Sequence, residues 1–76
     1  MTREQFPEFK FLAQKLIVKY QSSVYNRELR NLVESQARHL LAEFAPDSPF
    51  EKQLDILPTD MVLQSALDFY NPPSES

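Results

Sequence analysis

Glycine and cysteine are both missing from this chain, and none of its apolar stretches is long. Without glycine there is no low-cost route to positive φ, so tight hairpin turns and glycine C-caps are excluded. The glycine-rich loops that cradle phosphates and dinucleotides are excluded as well, and most nucleotide-dependent enzymes with them. Asn26 and Asn71 are left as the residues best suited to a left-handed conformation if one is needed. Without cysteine there is no disulfide, no thiolate nucleophile and no Cys-based zinc site. Histidine is nearly absent too: His39 stands alone, and no carboxylate group has a metal-loop spacing. No apolar run approaches the roughly 18 residues that span a bilayer. The start, Met1-Thr2-Arg3-Glu4-Gln5, lacks the basic-then-apolar layout of a secretory signal. A reducing, cytoplasmic setting is the resulting expectation, with no membrane, metal or cofactor.

What is present describes an ordinary small globular domain. The 76 residues are 42% hydrophobic and 25% charged, with a formal net charge of −3. One domain over residues 1–71 is expected, followed by a loose tail at 72–76. A chain this short buries only about 60% of the surface it exposes when unfolded. With disulfides excluded and no metal site evident, oligomerisation is the remaining way to reinforce the core, so a homodimer is a reasonable expectation.

The apolar periodicity and the six prolines divide the chain into helices. Thr2 and Gln5 have capping-box spacing, which would start a first helix at Arg3; the favoured alternative is a start at Pro7, with residues 1–5 frayed or forming an initial turn, and either way the helix runs to about Tyr20. After the short link Gln21-Ser22-Ser23, with Ser23 or Asn26 as cap, a second helix carries Tyr25, Leu29, Leu32, Val33, Ala37, Leu40, Leu41 and Phe44 at steps of three and four. Pro46 ends it. Ser48-Pro49-Phe50-Glu51 combines a serine cap, proline at the first position and glutamate at the third, predicting a short third helix over about Pro49–Leu57 that presents Phe50, Leu54 and Leu57 on one side. Thr59 is placed to cap a fourth helix whose stripe is Val62, Leu63, Ala66, Leu67 and Tyr70. The expected fold is all-α: a small four-helix array in which an antiparallel helix 1–helix 2 hairpin precedes a short helix 3 and a helix 4.

Two features of this array bear on function. Projected at about 100° per residue, the first helix groups Phe6, Phe9, Leu12, Ala13, Leu16, Ile17 and Tyr20 in one sector. Phe11 and Val18 fall roughly opposite, in a polar face made by Lys10, Gln14, Lys15 and Lys19. Being seven residues apart, the two form one stripe. Either the fourth helix covers that stripe from the far side, or it is a docking surface for a second copy or another protein. Gln36, near the centre of the second helix's apolar sector, is a further partner-binding candidate, since a buried amide at an interface can fix its register.

Charge is also uneven. Residues 1–45 carry a net +2 and residues 46–76 a net −5, which suggests an acidic second half laid across a basic hairpin. Lys15, Lys19, Arg27 and Arg30 converge on the turn between helices 1 and 2. Arginines beside free helix N–H groups could hold a phosphate or carboxylate; salt-bridging across the surface is the plainer use.

No catalytic residues emerge. His39 sits at the edge of an apolar sector with neither a nucleophile nor an orienting carboxylate at motif spacing. The reading is therefore a non-enzymatic regulatory or adaptor protein that binds another protein through Phe11, Val18 and Gln36, with a homodimer as one form it could take. The alternatives are nucleic-acid or polyanion binding through Lys15, Lys19, Arg27 and Arg30, and a small acidic inhibitor of the immunity-protein or antitoxin type.

Overall fold

A computed structural model describes residues 1–71; the expected tail at 72–76 lies outside the described residues. The fold is all-α, with four helices and no strands among those residues. The first start signal forms its box but does not start the helix at Arg3. The Thr2 N–H donates to Gln5 Oε1 at 3.0 Å, and the Gln5 N–H donates to Thr2 Oγ1 at 3.2 Å, a reciprocal capping box around one turn. Helix α1, Phe6–Ser22, continues from that turn with Pro7 in its first positions, where the missing N–H costs nothing. It ends at Ser23, whose N–H and hydroxyl both donate to the Tyr20 carbonyl, at 3.1 and 2.6 Å.

Helix α2, Arg27–Phe44, begins at Asn26, whose side-chain oxygen accepts the Leu29 N–H at 3.0 Å. The connection is thus Ser23–Asn26, slightly later than the sequence suggests, and it leaves Tyr25 fully exposed instead of on the helix's apolar side. Among the described residues none takes a positive φ; Asn26 is extended, at φ −125°. Replacing Asn26 with alanine should lower stability by about 1 kcal/mol. Urea unfolding would register this as a lower midpoint at unchanged slope.

The second half departs further from expectation. Ser48 does not cap a helix: its N–H and hydroxyl donate backwards to the Ala45 carbonyl, at 3.1 and 2.8 Å. Helix α3 is a single turn, Phe50–Gln53, with Pro49 at its N-cap and no side-chain cap. The chain then turns through Gln53, whose carbonyl accepts the N–H groups of both Ile56 and Leu57. That tight turn swings Leu57 outward, so Phe50 and Leu54 are buried and Leu57 is exposed. Helix α4, Thr59–Tyr70, starts from Pro58 without a side-chain cap. Thr59 is its first residue and is buried, so it packs instead of capping.

One hydrophobic core receives residues from all four helices. Helix α1 is central and packs about equally on α2 and α4, which touch each other only lightly. Phe9, near the start of α1, meets Phe44 at the end of α2 and Tyr70 at the end of α4, with ring centroids 5.7 and 6.3 Å apart. Both longer neighbours therefore run antiparallel to α1. Phe50 and Phe69 close the same end, 5.7 Å from each other. The two halves of the chain are also joined electrostatically: Arg38 on α2 donates to Asp55 at 2.7 Å and lies 3.8 Å from Glu34. The hydrogen bond and charge of Asp55 raise the Arg38 pKa above its already high ordinary value, so Arg38 stays protonated at any ordinary pH.

Candidate docking surface

The position of α4 decides the status of the stripe opposite the core. On α1, the side that meets its neighbours carries Phe6, Phe9, Ala13 and Leu16, all buried, with Leu12, Ile17 and Tyr20 partly buried beside them. Phe11 and Val18 are each 61% exposed. Helix α4 packs on α1 without reaching round to them, so the expectation that it covers the stripe is not met. The reason lies in the layering: α2 and α4 flank the same half of α1, and α3 is too short to reach the other half.

The stripe lies in a shallow hollow of about 390 Å³ lined by Phe11, Gln14, Lys15, Val18 and Lys19. Lys15 bends over Phe11, with its Nζ 5.2 Å from the ring centroid, a contact worth about 0.5–1 kcal/mol at an exposed site. Beside the hollow, and sharing Lys15 and Lys19 with it, a groove of about 280 Å³ runs between α1 and α2. Leu12, Leu16 and Leu40 contribute its apolar lining; Gln36, His39 and Glu43 come from α2. Hollow and groove are therefore parts of one continuous surface.

Gln36 joins this surface in a different way from that expected. It is exposed on the groove's α2 side, not buried at the centre of an apolar sector. Leu32, one turn before it on the same row, is exposed as well. The buried arc of α2 is narrower than its apolar pattern implied, running through Val33, Ala37, Leu40, Leu41 and Phe44. Sequence reading missed the groove and the role of Leu32 in extending this row, because both depend on which neighbours α2 has. A separate exposed apolar group, Ile56, Leu57 and Met61, marks the corner between α3 and α4.

The four basic residues expected at one tip divide between two places. Lys15 and Lys19 belong to the outer face of α1, whereas Arg27 and Arg30 line a depression at the link with Ser23, Val24 and Tyr25. Arg30 turns back onto α1, its guanidinium carbon 4.6 Å from the centre of the Tyr20 ring. Its Nε is buried without a hydrogen-bond partner. None of the four forms an ion pair within 4 Å among the described residues, so the plainer expectation of a salt-bridged tip is not met either.

Among the described residues there is no cluster of three or more potential metal ligands. None of the helices described is long and apolar enough to cross a membrane. Comparison with protein-family models, with curated proteins and with solved structures found no match for this chain.

Proposed function

We propose that this chain is a small regulatory or adaptor protein with no reaction of its own, which works by docking another protein on the outer face of α1. The observation that carries the reading is the exposure of Phe11 and Val18 after all four helices have packed. Fully burying side chains of this kind is worth about 1.5–3 kcal/mol each. That is a large sum beside the 5–15 kcal/mol by which domains are typically stable. A small domain that leaves both outside its core, two turns apart on one face, forgoes much of the stability available to it. A partner that covers them recovers it as binding energy.

The adjoining groove enlarges this face, and the lysines along it keep the free chain soluble while their stems lie over apolar surface. The experiment is a comparative capture from extract of the source cell, using the wild-type chain and the Phe11→Asp and Val18→Asp variants as baits. The reading expects proteins held by the wild type and lost by both variants. It fails if the variants hold everything the wild type holds, or if the wild type holds nothing.

A further inference from the structure

The outer face of α1 carries charges of both signs, and their order along the helix is as informative as their number. Phe11 and Val18 form the centre line, and at about 100° per residue Lys10 and Gln14 fall along one side of it. The other side is the row Glu8, Leu12, Lys15 and Lys19, which borders the groove against α2. Because α2 runs antiparallel to α1, Glu43 of the groove lies toward the Glu8 end and Gln36 toward the Lys19 end. This margin is therefore bipolar, with the carboxylates of Glu8 and Glu43 at one end and the ammonium groups of Lys15 and Lys19 toward the other. All four side chains are exposed, and none makes an ion pair within 4 Å among the described residues.

A bipolar strip is complementary to itself when turned end for end. We infer that a second copy of this chain pairs on this face, the two α1 helices lying antiparallel about a two-fold axis midway between Phe11 and Val18. Such an axis keeps like margins together and reverses their direction. Phe11 of each copy then meets Val18 of the other, a large side chain against a small one at both positions. Glu8 of each copy comes level with Lys19 of the other to within about 3 Å along the helix, so unlike charges face each other at both ends. On the opposite margin Gln14 meets its own counterpart, amide to amide, and the two Lys10 lie about 13.5 Å apart along the axis.

Only the two Lys15 stems meet near the axis. Each reaches back over its own Phe11 ring, with Nζ 5.2 Å from the ring centroid. Those two rings sit about 10 Å apart along the helices, so the ammonium groups are held away from each other. A parallel two-fold would instead stack Phe11 on Phe11 and Val18 on Val18, set Lys19 beside Gln21 rather than a carboxylate, and align the two helix dipoles. Two apolar side chains per copy make a small interface centre, and contacts under about 1,200 Å² belong to weak, transient pairs. The free chain is therefore single when dilute and pairs as its concentration rises. Pairing and partner docking both cover Phe11 and Val18, so each excludes the other.

The test follows the amide NMR spectrum of the full-length chain as its concentration rises from about 0.05 to about 2 mM, the range in which a weak pair populates. The resonances of Glu8, Phe11, Gln14, Val18 and Lys19 should move together along one saturable curve, while light scattering shows the mass rising toward that of two chains. The single variants Glu8→Lys and Lys19→Glu should each weaken pairing by at least about fivefold, since both ends of the contact then oppose like charges. An equal mixture of the two variants should pair far better than either alone, because every end then sets a lysine against a carboxylate. That recovery is specific to the antiparallel two-fold. The inference is overturned by an absence of concentration-dependent shifts, or by shifts centred elsewhere, such as Ile56, Leu57 and Met61. It is equally overturned if Lys19→Glu pairs like the wild type, or if the mixture pairs no better than its components. None of these results bears on the partner reading, which the capture experiment judges separately.

Discussion

Changing Phe9 to alanine should cost about 3–5 kcal/mol and leave the chain largely unfolded near physiological temperature. Phe9 has no exposed surface and belongs to the one hydrophobic core. Its ring joins the three main helices where they meet, against Phe44 of α2 and Tyr70 of α4. Truncation would remove the ring's own burial and the two ring contacts, and it would leave a cavity that three helix backbones could not easily close. No disulfide would limit the damage, since the chain has no cysteine. Thermal unfolding of the variant followed by circular dichroism is the appropriate measurement. A midpoint within a few degrees of wild type would mean that this aromatic junction is not what holds α1 in place.

The second large effect should be one of binding without stability. Phe11→Asp alters a side chain that is mostly in water in the free chain, so stability should change by no more than about 0.5 kcal/mol. The Lys15 contact it removes is itself small. Partner affinity should nevertheless fall by at least about thirtyfold, the loss typical of truncating a central anchor of 2 kcal/mol or more. This contrast separates the two faces of one helix. Phe9 and Phe11 are only two residues apart, yet the first is predicted to govern folding and the second recognition.

Much of the architecture was legible in the sequence wherever a local signal and the global packing agreed. The Asn26 cap, the Thr2–Gln5 box and the core stripe of α4 are set by residues within a turn or two of each other, and these appear as expected. Ser48 and Thr59 carried equally good cap signals and do not cap. A nearer carbonyl at Ala45 takes the Ser48 hydroxyl, and Pro58 leads directly into α4 with Thr59 buried. A hydroxyl has several local acceptors, and sequence alone does not choose among them.

The candidate surface was only half legible. Periodicity placed Phe11 and Val18 on one face, but whether that face is covered depends on where α4 and α2 settle around α1. Gln36 and Leu32 show the same limit from the other side. Their place in the pattern suggested burial, while Gln36 lies exposed at the edge of the groove between α1 and α2 and Leu32 is exposed one turn before it. The division of Lys15 and Lys19 from Arg27 and Arg30 likewise follows from three-dimensional placement, with Arg30 drawn onto Tyr20.

The chain contains four valines, and they form a ready-made probe of the central claim. Val18 lies on the proposed docking face, Val24 is exposed at the α1–α2 link, and Val33 and Val62 are fully buried. Valine-methyl NMR spectra, recorded with a soluble paramagnetic agent before and after adding the captured partner, would test the docking surface directly. The account predicts that the Val18 methyls shift and become shielded from the agent, while Val24 stays accessible and Val33 and Val62 stay protected throughout. Val18 methyls that remain as accessible in the complex as in the free protein would contradict it.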